Sequence, residues 1–588
     1  MGTLIQSYGE SQVHCEVDEI VIRLPRKVFG KGWKDLVARL TEAIGHQRVL
    51  SSPQRVMTER GEGENAPRWK QLYIDALTWV LFLLKVPADH ELVSLWQTIP
   101  WGTINQICAE DYDNAHGGRY AWAPAQMVAV LILMFLYGVA YESRSLAWVR
   151  ENIVWCWFCG LSFFGNWPNR NALYDFRDRV GPERFEEILT LAVRACVQSG
   201  LVNNLLASFD LTLVVASAHR WSPYERAVIL TKALIRYLEL CRTEQQPDEP
   251  MPDVLRKLAA EVALEVLPHK ALDRVQAERV VESVKQWEAQ TNPQETPWQE
   301  EVEEAVEAVS ASDRRGLSPE GTRPTLVRVA KKLLALLPHT RGDLDARVGR
   351  TTNYTWFCGY LLGFIVDSLC HIITAVVLAG GNVRQSRLFQ PAMEAHRQRV
   401  GTPEATALDS AFDDKADVHD YLDEHGIEGH ITSRDHASPA DGGYGTDRLE
   451  WDEDQWTLRC PNQTPLQAKG KAQQGRQTYV GTACHTCPRY ENCCPKGQGE
   501  PKQFTLNPAA HRRWQENRKH CHTEEYKAAQ RQRFVEEGRF GLVKMNHHGA
   551  KAPYRSEDMN LLAALMMAIV MDYRILARHQ QKERSTTH

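Results

Sequence analysis

The sequence has no excess of basic charge. Its 588 residues hold 69 Lys and Arg against 74 Asp and Glu, a formal net charge of −5, and its pI is near 6.5. A chain that grips polyanions through its overall charge is excluded, so any such contact must come from local patches. Long apolar runs are scarce too. Ala125 to Tyr141 is about one membrane span long, but its flanks pass directly into charged helical sequence. Tyr354 to Gly380 is broken by Asp367 and His371 and is rich in aromatic and β-branched residues. The first reads as a buried helix and the second as two buried strands, and no membrane attachment is expected. Met1 to Glu10 lacks a basic region followed by an apolar core, so no secretory signal is expected. Gln6 spoils the myristoylation pattern after Gly2. No internal repeat is evident. Of fourteen cysteines, most, such as Cys156, Cys159, Cys358 and Cys370, lie in apolar surroundings. They fit reduced core residues of a cytoplasmic protein, not a disulfide scaffold.

What is present is an ordinary soluble composition, 43% apolar and 24% charged. The length exceeds one hydrophobic core, so roughly two to four domains are expected. Residues 1–110 are mixed, with a strand expected over Ile20–Leu24 and an amphipathic helix over Trp69–Leu84. Residues 111–200 read as helical. Within them Asn169 is placed as the N-cap of a helix through Val180. That helix carries Arg170, Tyr174 and Arg177 at helical spacing. A helix-turn-helix whose second helix enters a DNA major groove fits this stretch, and so does a plain helical bundle. Strands interleaved with helices over 201–221 and 341–435 indicate an α/β core. Asp413 is placed as the cap of a helix through Glu424. Two inserts separate the pieces of the core. The first, 222–340, is helical, and its Glu300–Glu307 run reads as a solvated face. The second, 436–508, is rich in cysteine. Residues 509–588 return to helix.

Three carboxylates stand out. Asp210 ends the apolar stretch Leu205–Phe209, and Asp409 follows Ala405–Leu408. Taken singly, each also fits a solvated turn or a helix N-cap. Glu537 is marked by its spacing. At about 100° per residue, Arg533 and Lys544 fall within roughly 40° of it on one helix face, and Glu536 points away. A charged surface helix would look the same. The surrounding segment, Arg512 to Arg555, holds eleven Lys and Arg against five Glu, a local charge of +6. The fourth signal is Cys460 followed by Cys484-x2-Cys487 and Cys493, a tetrahedral zinc pattern in which Cys494 competes and His485 is a weaker candidate.

Several segments together resemble the DDE transposases of bacterial insertion sequences, especially the group with a four-cysteine insert before the catalytic glutamate. Pro124–Met127, Tyr137-Gly138 and Phe176–Arg179 begin the likeness. Phe209-Asp210-Leu211-Thr212 resembles the first-aspartate strand, and Asp343–Arg347 with Gly359-Tyr360 the next strands. Asp409-Ser410-Ala411-Phe412 resembles the second-aspartate motif, and Arg533-x3-Glu537-x6-Lys544 the glutamate helix. Gln530 stands where the family carries a tyrosine, with Tyr526 one turn earlier.

The resemblance implies a ribonuclease-H-like core in which Asp210, Asp409 and Glu537 hold two Mg²⁺ or Mn²⁺ ions. It implies a structural Zn²⁺ on Cys460, Cys484, Cys487 and Cys493. Arg533, Arg539 and Lys544 would contact DNA near the site, and Arg170 and Arg177 on the helical unit 111–200 would contact the element's ends. The implied partners are the terminal inverted repeats, target DNA and a second copy of the chain. A catalytically silent DNA-binding protein derived from a transposase is the competing expectation.

Overall fold

The computed structural model describes residues 89–112, 120–162, 167–217, 345–350, 356–433, 443–452, 457–473, 475–495, 500–534 and 551–586. It also describes three strands near the start and scattered positions over 57–87 and 219–343. The expected helix over 69–84 and the 222–340 insert fall almost wholly outside the described residues. β1 (Leu4–Tyr8), β2 (Ser11–Glu16) and β3 (Glu19–Arg23) form a small antiparallel meander. The strand expected at Ile20 lies on β3.

A helical layer follows: α1 (Glu91–Thr98), α2 (Trp101–Ile107), α3 (Pro124–Leu136), α4 (Glu142–Glu151), α5 (Ile153–Phe158) and α6 (Arg170–Gln198). α3 starts with proline at its first turn, where a missing N–H costs nothing, and it is buried from Pro124 to Phe135. It is the buried helix expected from its apolar run. Asn169 caps α6, its side chain accepting from Ala172 N at 2.9 Å. The regular helix breaks where the sequence suggested. Gly181 takes φ +68° and Pro182 follows, so the first half ends on a left-handed residue and the second restarts with a proline.

The central sheet comprises β4 (Leu206–Val215), β5 (Arg347–Arg350), β6 (Trp356–Asp367), β7 (Ile373–Gly380), β8 (Ala405–Leu408) and β9 (Glu428–Ile431). Its order is β9-β8-β4-β6-β5, with β7 also on β6. β4, β6 and β7 are antiparallel, whereas β8 runs parallel to both β4 and β9. Parallel neighbours need crossovers. α7 (Ser386–Arg399) leads into β8, and α8 (Ala416–His425) joins β8 to β9. Three antiparallel strands followed by two parallel ones is the layout expected of a ribonuclease-H-like core. β6 is apolar along nearly its whole length because both of its faces are covered. One face packs with α7 and α8 through Phe209, Leu361, Phe389 and Leu408. The other packs with the N-terminal helices and α11 (Glu557–Thr586) through Val214, Leu362, Phe364 and Leu565. α11 is long and apolar enough to span a membrane, but 78% of its apolar stretch is buried within the protein.

The cysteine-rich insert forms two small sheets. β10 (Glu450–Asp452) pairs with β11 (Thr457–Arg459), and β12 (Leu466–Gln473), β13 (Arg476–Gly481) and β14 (Gln503–Leu506) form a meander. α9 (Pro508–His520) and α10 (524–534) follow.

His396 on α7 is fully buried, its Nδ1 2.6 Å from Thr374 Oγ1 and its Nε2 2.9 Å from Asn204 Oδ1. Burial, aided by Arg399, pushes its pKa down to about 4. The unfolded chain therefore takes up this proton first as pH falls. Stability should drop between about pH 6.5 and 4, by on the order of 3 kcal/mol from this group. Thermal melts at pH 7 and pH 5 should show a loss that His396→Gln does not share. An equal loss in both proteins would assign the acid sensitivity elsewhere.

Candidate active site

β4 and β8 bring the two aspartates together. The parallel register sets Ala405 beside Leu206, Thr406 beside Ala207 and Ala407 beside Ser208. Two steps further along the same alignment, Asp409 falls level with Asp210. Adjacent strands lie about 4.8 Å apart, so the two backbones are close neighbours. The faces agree as well. Phe209 and Leu408 both enter the core against α7 and α8. Side chains alternate along a strand, so Asp210 and Asp409 turn to the opposite face, where both are half-exposed. Locally, Asp210 Oδ1 accepts from Leu211 N and Asp409 Oδ1 from Ala411 N, each at 2.9 Å.

α10 lies across these strand ends. Gln530 Nε2 donates to His430 O at 2.7 Å and to Leu408 O at 3.3 Å. Tyr526 OH reaches Thr432 Oγ1 at 3.2 Å, and Gln532 Nε2 donates to Ser368 O at 2.8 Å. These bonds hold α10 so that Arg533 Nη2 stands 3.4 Å from Asp210 Oδ1. Gln530 carries no mark of such a tie in the sequence. Its only signal was that it fills a position where the resembled family carries tyrosine. Arg533, expected beside Glu537, is thus placed on Asp210. Glu537, Arg539 and Lys544 lie outside the described residues. The chain is described again at Lys551, which bridges to Val215 of β4, and Ala552 N donates to Val215 O at 2.8 Å. Both ends of the segment that carries Glu537 are therefore fastened to β4.

Two expectations need correction. Arg177 does not face solvent. Its side chain is 4% exposed, its Nε lies 2.8 Å from Glu142 Oε1, and its guanidinium sits 4.0 Å from the centre of the Tyr554 ring. Tyr554 OH also donates to Glu142 at 3.1 Å. A buried charge needs such partners, and they bind Arg177 into the contact between α6, α4 and the segment before α11. Arg170 and Tyr174 on the same helix are exposed. Asp413 does not cap the helix after β8. That helix begins at Ala416 without a side-chain cap, and Asp413 is buried and accepts from Asn517 Nδ2 at 2.6 Å.

The cysteines gather far from these acids in sequence. Cys460, Cys484, Cys487, Cys493 and Cys494 all line one cavity of about 30 Å³. Gly481 leaves space for the cluster, because a Cβ there would meet Cys484 Sγ at 2.3 Å. Burial, with Cys494 and Cys484 alongside, pushes the Cys493 thiol up to about 12. A third group of metal-capable side chains, Glu428, His430 and His520, joins β9 to the end of α9. There His430 Nδ1 and His520 Nε2 are 2.9 Å apart.

Residues 82–179 match a family described as a transposase domain (DUF772), and residues 459–577 match a family described as a transposase DDE domain. Two separate stretches of the chain thus resemble transposase families, which supports a DDE transposase. The DDE match runs from the cysteine insert through α9, α10 and α11, and so includes the segment carrying Arg533 and Glu537. An uncharacterised Rhizobium meliloti protein, described as ORF8 in the nfe locus, is 32% identical over 111 residues. That stretch is 18% of this chain and 52% of the relative, so the chain spans about half the length of the curated protein it matches. No solved structure matches the chain.

Proposed function

We propose that this transposase cuts DNA at the two ends of an insertion sequence and joins the freed ends to target DNA. The observation that carries the reading is the matched placement of Asp210 on β4 and Asp409 just past the end of the parallel neighbour β8, with Arg533 of α10 on Asp210. Half-exposed carboxylates turned to one face suit hard divalent cations such as Mg²⁺ or Mn²⁺. Glu537, four residues after Arg533 in sequence, would complete the set. Two ions held there would supply a polarised phosphate and an activated water or 3′-hydroxyl. Water first breaks a P–O bond at each element end and leaves a 3′-hydroxyl. That hydroxyl then attacks a phosphate of the target, forming a new P–O bond as the target strand's own 3′-oxygen leaves. Arg533 neutralises Asp210 in the free protein, and its planar fork suits the scissile phosphate once DNA is bound. Arg539 and Lys544, which follow Glu537 in sequence, would add positive charge for DNA. Arg170, exposed at the start of α6, is the remaining candidate for end binding. Two ends must be held at once, so a dimer or larger assembly is the working form.

The cysteine insert fits a structural zinc ion. Four or five thiols around a cavity of about 30 Å³ match the closed all-sulfur shell of such sites. Cys460, Cys484, Cys487 and Cys493 would hold the ion.

DNA affinity measured across a salt series tests the basic track. Arg533→Ala and Lys544→Ala should each weaken binding without sequence preference and flatten the log–log salt slope by about one unit. Unchanged slopes in both would leave a solvated charged face. Cleavage assays separate the neighbouring glutamates: Glu537→Gln should be inactive and Glu536→Gln active. The reverse result would overturn the helix-face assignment.

A further inference from the structure

The hairpin β12–β13 of the cysteine insert has no role in the reading above. We propose that it is a DNA-contacting arm whose Lys469 and Lys471 bind backbone phosphates of duplex DNA. The proposal rests on the transposase reading and adds a contact surface to it.

Three observations carry it. The first is charge. From Gln455 to Tyr490 there is no Asp or Glu, but there are five Lys and Arg. In a chain of net charge −5, this is a local polycation. Two of the five are occupied within the insert. Arg459 pairs with Asp452 at 2.5 Å, and Arg489 donates to Pro461 O at 2.9 Å. Arg476 leans back on Thr505 O at 3.4 Å. Lys469 and Lys471 have no carboxylate partner among the described residues.

The second is shape. β12 is the edge strand of its sheet, and residues 467–472 are exposed on both faces. The strand has no core to pack on beyond Leu466. β14 covers the far side of β13 at Gln477–Val480, so the open edge of this sheet is β12, and its lysines are placed to meet a phosphate backbone.

The third is anchorage. The first pair of the hairpin is Leu466 opposite Gly481, and both residues line the cysteine cavity. The base of the arm is thus fixed by the cluster, and its far half is held by β14 through Thr478–Thr505 and Arg476–Thr505 contacts, which leaves the outer edge of β12 open. Lysine on an edge strand also blocks edge-to-edge pairing. Glutamate would serve that purpose equally, so edge protection does not explain why Gln455–Tyr490 holds no acid.

The test uses the full chain and a short mixed-sequence DNA duplex, because phosphate contacts carry no sequence information. Wild type and the double variant Lys469→Ala/Lys471→Ala are compared by anisotropy across a salt series. The variant should bind more weakly, with a log–log slope smaller by about two units. Both side chains are exposed, and equal thermal melts would confirm that folding is intact. Wild type that binds while the variant keeps its slope would overturn the arm and leave the transposase reading standing. Wild type with no affinity for duplex DNA would overturn both. A charge-restoring Lys469→Arg/Lys471→Arg variant should recover the slope, and failure to recover it would assign the loss to altered structure.

Discussion

Asp210→Asn or Asp409→Asn should abolish Mg²⁺-dependent cleavage of DNA carrying the element's ends while leaving DNA binding intact. The substitutions keep size and hydrogen-bonding shape but remove the charge that would hold a cation. Groups that act as one unit lose most of their effect together, so each change should cost at least about 10³-fold in rate, and the double variant little more. Asp210→Asn also frees Arg533, which stands 3.4 Å from it, so DNA affinity should hold or rise slightly. A variant that still cuts at near the wild-type rate would remove that aspartate from the site. Loss of binding together with cutting would assign it a structural role.

Cys487→Ser should have the next largest effect. If four thiolates close a structural zinc site, its binding energy is folding energy, on the order of 10 kcal/mol for small zinc domains. The apolar core of the insert is small, with Leu449, Leu458, Leu466, Tyr479, Phe504 and Leu506 its buried members. It does not replace that contribution. Purified wild type should carry about one zinc per chain. The variant should carry none, and a protease should cut it within 436–508 first. Zinc content equal in the two proteins would take Cys487 out of the site. Metal-free wild type with a protected insert would show that the thiols are packing residues.

Much of the core was legible because its signals are local. Apolar runs of strand length ended in Asp210 and Asp409, and strand alternation alone fixes the face each turns to. Asn169 read correctly as a cap because a cap bonds to residues two or three positions away. The break in α6 was written in adjacent glycine and proline. The misreadings share one cause, a partner distant in sequence. Arg177 has helical spacing with Arg170 and Tyr174, yet Glu142 and Tyr554 draw it inward. Asp413 has the look of a cap but is taken by Asn517 on α9. Gln530 carries no local signature of a helix tie, because the carbonyls it holds belong to Leu408 and His430.

The central claim is that three acids separated by more than three hundred residues in the chain share one cation site. Iron-directed cleavage tests it most directly. Fe²⁺ replaces Mg²⁺, peroxide and ascorbate generate radicals at the bound ion, and the peptide fragments are mapped by mass spectrometry. The account predicts backbone cuts close to residues 210, 409 and 537 in wild type, suppressed by excess Mg²⁺ and absent together in Asp210→Ala. Cuts confined to one of these regions, or surviving in Asp210→Ala, would contradict it.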